Sequence, residues 1–328
     1  MGKALLSRKT LLFNALGVIL TIITLWAVGS GISYEGIKNS LPSLNWEWLF
    51  PAAGAFYLNY AARAQRLRLI TVFPARAPFP LWFGVASVHG ALNFLLPAKT
   101  GELTFPIIAR KVIGLPYEKG IAGLAVARLF DFVVVATTLP IAVFAFRGVN
   151  FNKIALGGVL YCVLLLALLC GFRLMLKIDE GFLRKQRFGS NRVSQAVLKF
   201  IGSLRDIHHQ RVYIKTALLS FSIWLMIYSN FYCLARVVGA DLSFLEVVAV
   251  SAVLIPLTMI PVQGVANFGA HEIGWVLSLT LFGYDKTSAI EVAFMTHVLL
   301  LLHVLVFGFV GAALVLGSCR IGPIASDY

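Results

Sequence analysis

The chain has 328 residues, of which 59% are apolar and only 13% charged, about half the ~25% charged share of soluble domains. A soluble fold of this size has no interior able to hide so much apolar surface, which argues against a soluble enzyme and for an integral membrane protein. The net charge of +14 falls mostly between the apolar runs, as in loops facing anionic headgroups, and does not form the basic face of a nucleic-acid binder.

The N-terminal tip carries Lys3, Arg8 and Lys9, and an apolar run from Leu11 to Gly29 follows. That run is long and shows no clear small-residue cleavage site, so it reads as an uncleaved first span. Further long apolar segments cover residues 48–62, 79–97, 119–146, 154–176, 212–236, 243–262 and 287–316. About 20 helical residues cross the ~30 Å hydrocarbon core, so these segments predict about eight long transmembrane helices. Two shorter segments, 101–113 and 266–282, are more polar and are broken by Pro or Gly. Interrupted helices at membrane depth are tolerated where they are buried in protein or line a cavity, and in transporters they mark the binding site. The expected fold class is an all-α integral membrane protein, a single polytopic domain with two short broken or re-entrant helices.

The two broken segments repeat one pattern. Pro97, Gly101, Glu102, Gly114, Lys119 and Ala122 lead into a long span, and so do Pro261, Gly269, Glu272, Gly283, Lys286 and Ala289. From Glu to Gly is 12 residues in the first and 11 in the second. The shared order predicts repeat units at about 79–146 and 243–316. Three stretches are basic: the N-terminal tip, a loop with Arg63, Arg66, Arg68 and Arg76, and the loop 177–211, whose Val193–Leu204 part reads as an amphipathic surface helix. Positive loops face the cytoplasm. Counting the short segments as crossings places all three inside with both termini and makes the repeats inverted, as in many transporters. The expected location is the inner (plasma) membrane with a cytoplasmic N-terminus; true re-entrant hairpins are the competing arrangement.

Each ionisable group inside a span costs roughly 2.5–3.5 kcal/mol on insertion scales, so each is a candidate for function. The first repeat offers Lys99, Glu102 and Arg110, with Lys99 and Glu102 spaced to pair. Arg128 and Asp131 share a helix face at i, i+3 and neutralise each other. The second repeat offers Gln263, Asn267, His271 and Glu272, with Glu272 at the position matching Glu102. The competing readings are local pairing and snorkelling for the cations, and satisfied interior residues for His297 and His303. No enzyme signature appears: no phosphate loop, no Gly-x-Ser-x-Gly elbow and no His-Glu-x-x-His. Cys162, Cys170, Cys233 and Cys319 form no CxxC pair, so no metal and no cofactor are expected.

Leu96-Pro97-Ala98-Lys99-Thr100-Gly101-Glu102 followed by Arg128-Leu129-Phe130-Asp131 resembles the lysylphosphatidylglycerol synthase transmembrane region. Ile260-Pro261-Val262-Gln263-Gly264, Gly269-Ala270-His271-Glu272 and Gly283 extend the resemblance through most of the chain. In full-length synthases this region is linked to moving aminoacylated phospholipid between leaflets, and a separate soluble domain performs the aminoacyl transfer. The present chain ends at Tyr328, soon after its last span, so the translocator part is expected without synthase activity. Relatives often carry a basic residue just after the Gly-Glu; here Leu103-Thr104-Phe105-Pro106 stands there and the next cation is Arg110. The resemblance implies a lipid transporter or flippase that is not an enzyme. Its expected partners are membrane lipids, a second copy of the chain or a lipid-processing enzyme, with no nucleic acid. The alternative is an accessory subunit of a lipid or glycan assembly enzyme.

Overall fold

The protein is described here by a computed structural model that covers residues 22, 44–71, 77–145, 151–177, 192–259 and 264–319. The apolar run before Ile22, Arg76, Pro261 and Gln263 lie outside the described residues. Every regular element among the described residues is helical. In chain order these are a 3-10 turn (Trp46–Trp48), α1 (Leu49–Ile70), α2 (Phe79–Leu95), a 3-10 stretch (Pro97–Leu103), α3 (Thr104–Ile113), α4 (Tyr117–Ala145), α5 (Phe151–Lys177) and α6 (Arg192–His209). There follow α7 (Tyr213–Val237), α8 (Phe244–Met259), a 3-10 turn (Val265–Asn267), α9 (Ala270–Leu281) and α10 (Lys286–Cys319).

Four of these helices are long and apolar enough to cross a membrane, within Tyr117–Thr138, Gly158–Lys177, Tyr213–Val237 and Lys286–Ser318. The remaining long segments of the sequence differ for physical reasons. α2 has 17 residues, just under a full crossing, and α8 is described over 16, up to Met259. α1 has 22 residues but carries Arg63, Arg66 and Arg68 within it, not in a loop behind it. α3, at 10 residues, is about 15 Å long, half the hydrocarbon thickness.

Local chemistry sets the boundaries. α2 stops at Leu95 because Pro97 forces Leu96 into an extended conformation, ψ 135°. α3 closes on Gly114, whose left-handed φ of 74° lets its N–H reach back to the Ala109 carbonyl. Asp285 caps α10 by accepting the N–H groups of Thr287 and Ser288, each at 3.0 Å. The Ser288 hydroxyl together with those N–H groups holds the Asp285 carboxyl below its ordinary range.

α1 packs along α7, α2 along α10, and α4 against α8. The α2–α10 seam is built from small residues. A Cβ on Gly311 would sit 2.7 Å from the Ser87 Cβ, and one on Gly308 would sit 2.7 Å from the Ala91 Cβ. Such seams suit a membrane, where close van der Waals packing replaces the hydrophobic drive between helices. Trp82, Phe105, Ile70 and Trp275 fill the main core between these pairs. The amphipathic segment expected at 193–204 is the longer helix α6, and its apolar face docks on protein: Leu204 and Ile207 pack on Ala122 and Val126 of α4.

The first broken segment lies against α2 with no room for a side chain at Gly101. A Cβ there would meet the Asn93 Cα at 2.3 Å and the Leu92 carbonyl at 2.5 Å. Gly101→Ala is therefore expected to destabilise the fold by about 1–3 kcal/mol. Gly171→Ala, on an open face of α5 with nothing within 4 Å, is expected to leave stability unchanged or raised. Thermal unfolding of the two variants in detergent checks both outcomes.

Candidate functional site

Four charged side chains from three elements form one chain of alternating sign. Arg66 of α1 is 3% exposed and Asp131 of α4 is 2% exposed, and they meet at 2.6 Å and 3.3 Å. Asp131 also accepts Arg128 Nη1 at 3.1 Å and the Trp224 indole N–H at 3.2 Å. Arg128 then turns to Glu102 of the first broken segment, with Nη2 at 2.6 Å and Nε at 3.3 Å. Glu102 also accepts Asn93 Nδ2 at 3.2 Å, and Arg66 donates to the Ser220 hydroxyl at 2.8 Å. Two cations meet two carboxylates, so the group is neutral as a whole, the condition under which charge can be held out of water.

Beside it lies a cavity of about 210 Å³ at the centre of the bundle. Among the described residues its cations are Arg63 and Lys99, and none of them lines it with a carboxylate. Arg63 gives its Nε to Asn59 Oδ1 at 2.7 Å and lies over the Tyr60 ring at 5.8 Å, leaving its terminal nitrogens without a hydrogen bond among the described residues. Lys99 has neither a hydrogen bond nor a salt bridge among them. Its backbone is left-handed, with φ 58°, an uncommon conformation for a non-glycine residue that the tight turn before Gly101 imposes. Asn93, Asn267, His89 and His271 are among the polar side chains that line it, and the Asn93 Oδ1 is buried without a donor among the described residues.

The second broken segment closes the cavity from the other side and touches the first. Ala266 and Asn267 are both left-handed, with φ 53° and 67°, and Gly269 follows at 93°. This turn aims the Ala266 carbonyl at His297 Nε2, 2.9 Å away. The other ring nitrogen of His297 meets the Glu272 carboxylate. Glu272 also accepts the Gly269 N–H at 2.8 Å, which caps α9. A carbonyl can only accept, so His297 Nε2 carries a proton. The second proton of the pair lies between Nδ1 and Glu272, and the pair is neutral wherever it sits. His271 lies tilted against His297, ring centroids 4.5 Å apart, and lines the cavity.

Of the residues singled out from the sequence, Glu102, Arg128 and Asp131 thus come together in one network. Lys99, Asn267 and His271 line the cavity, and Glu272 lies just behind it. Lys99 does not pair with Glu102, as its spacing suggested, because the left-handed turn separates them and Arg128 holds the carboxylate. Arg110 is not at the site: it is exposed at the end of α3 and reaches only the Gly114 carbonyl, at 3.4 Å. Gln263 lies outside the described residues. Sequence reasoning missed Arg63 and Arg66, which it placed in a cytoplasmic loop, and Asn93. It took His297 as a satisfied interior residue, and its partners are those just given. The signal for the arginines was present: no Gly or Pro interrupts residues 61–70, so nothing stops the helix before them.

Two outcomes follow for stability. Asp131→Asn leaves two arginines short of a partner and is expected to cost about 3–5 kcal/mol, with Arg66→Met in the same chain recovering part of that loss. Glu272→Gln keeps an acceptor for Gly269 and is expected to unfold above Glu272→Leu, which strands both His297 and that N–H at a cost of about 1–3 kcal/mol. A double-mutant cycle for the first pair and melting curves for the second read these differences.

The model of the lysylphosphatidylglycerol synthase TM region family matches residues 14–308. None of the curated proteins and none of the solved structures matches the chain. The match and the apolar helices together make it a multi-pass membrane protein of lipid metabolism or transport. A match over most of its length, including both broken segments, places the chain in the lysylphosphatidylglycerol synthase TM region family.

Proposed function

We propose that the protein is a lipid translocator, a non-enzymatic carrier that moves a phospholipid or lipid-linked molecule between the leaflets of the inner membrane. The observation that carries the reading is the cavity that, among the described residues, is lined by two cations, Arg63 and Lys99, and no carboxylate, where two interrupted segments meet. Its volume falls below the roughly 300–1,000 Å³ of pockets that enclose drug-sized ligands, so it suits a headgroup whose acyl chains stay in the bilayer. Charge-assisted hydrogen bonds from the two cations hold the headgroup in a dry site, where such bonds are strong. Arg128, already held by Glu102 and Asp131, is a strut that keeps the first broken segment on α4.

We further read the two broken segments as corresponding parts of two inverted halves, each a 3-10 turn followed by a short helix. The basic N-terminal tip and the basic stretch 177–211 support a cytoplasmic N-terminus. Arg63 and Arg66 drop out of that count, since neither is in a loop.

Leaflet exchange of fluorescent phospholipids in liposomes holding the purified protein tests the reading. The wild type is expected to accelerate exchange, and Arg63→Gln/Lys99→Gln, with an unchanged melting temperature, to slow it by about tenfold or more, the equivalent of one lost charge-assisted bond. Exchange at the wild-type rate in the double variant, or no exchange across anionic, zwitterionic and cationic lipids, overturns it.

A further inference from the structure

The charge balance of the cavity names the class of headgroup, if the site holds a lipid as set out above. Three buried or half-buried carboxylates lie near it, and each is already spent. Asp131 accepts from Arg66, Arg128 and Trp224. Glu102 accepts from Arg128 twice and from Asn93. Glu272 is held by His297 and the Gly269 N–H. Arg63 and Lys99 are left lining the same cavity, two like charges in one space.

A headgroup with an ammonium, such as an aminoacyl ester, would bring a third cation into this space and find no free carboxylate among the described residues. Its ammonium would exchange water for repulsion, a combination that costs more than either alone. A phosphate diester carries one negative charge and would neutralise half of the pair. A terminal phosphate carries up to two and offers three oxygens, enough for the Arg63 fork and the Lys99 ammonium together. When singly protonated it also offers an O–H, the donor that the buried Asn93 Oδ1 lacks. The free amide of Asn267, held at the cavity wall by its left-handed backbone, adds further donors.

We propose that the cavity selects lipids ending in a phosphate monoester and rejects aminoacylated headgroups. The lipid, not free phosphate, is taken as the ligand because the site is lined by apolar helices long enough to cross a membrane.

Binding to the full-length protein in detergent tests this independently of transport. The probes are short-chain phosphatidic acid, phosphatidylglycerol, lysylphosphatidylglycerol and inorganic phosphate, each titrated against the melting temperature at mildly alkaline pH. Phosphatidic acid is expected to bind about tenfold or more tighter than phosphatidylglycerol, and the lysyl lipid to cause no shift. Lys99→Gln and Arg63→Gln are each expected to weaken phosphatidic acid by about tenfold, and Lys99→Arg to retain it. Equal or tighter binding of the lysyl lipid overturns the proposal, as does unchanged binding in the two Gln variants that melt like the wild type. Inorganic phosphate as tight as the lipid overturns the lipid as ligand. Selective binding without leaflet exchange leaves this site standing and removes the translocator reading.

Discussion

The Arg66–Asp131–Arg128–Glu102 chain is the constraint on which the rest depends. It ties α1, α4 and the first broken segment together, and through Ser220 and Trp224 it also reaches α7. None of its members is tolerable alone in an apolar bundle, where an unpaired charge costs several kcal/mol. Joined, they are neutral and nearly saturated, with Arg66 Nε the atom left without a partner. The network therefore fixes how α1 and α4 face each other, and that facing opens the cavity beside Arg63. Apolar packing around Trp82 and Trp275 supplies the bulk of the contact area, but it has no direction of its own.

A second neutral device stands on the opposite wall. Glu272 and His297 share their protons and fasten α9 to α10, while the left-handed pair Ala266 and Asn267 turns the backbone toward His297. The two walls solve the same problem with different chemistry, a guanidinium in one and an imidazole in the other. Between them the cavity keeps its two cations uncompensated.

Much of this arrangement was legible in the sequence, and the misses have identifiable causes. The apolar runs and the Pro–Gly interruptions located α2, α4, α7, α8, α10 and both broken segments to within a few residues. Buried carboxylates at Glu102, Asp131 and Glu272 were visible as charges in apolar surroundings, which is the informative exception to burial rules. Arg63 and Arg66 were lost because hydropathy ends a span at the first cluster of cations, whereas the backbone continues until Gly or Pro stops it. The unpaired placement of Lys99 and the partners of His297 depend on left-handed turns at residues 99, 266 and 267. Lysine and alanine give no warning of that conformation, which the surrounding packing imposes. Arg110 looked like a site residue by its distance from Glu102 in sequence; the turn of α3 carries it outward.

The ion pair between Arg66 and Asp131 joins positions 65 apart in the chain. A helix with Arg63, Arg66 and Arg68 emerges from the ribosome well before the aspartate that neutralises it. On insertion scales an arginine held unpaired inside a span costs roughly 2.5–3.5 kcal/mol, so the buried Arg66 gives α1 no stable place in lipid until it is neutralised. Stable burial of α1 therefore depends on α4, whose Asp131 neutralises Arg66. That dependence is written into which helix holds the arginines and which holds the acid.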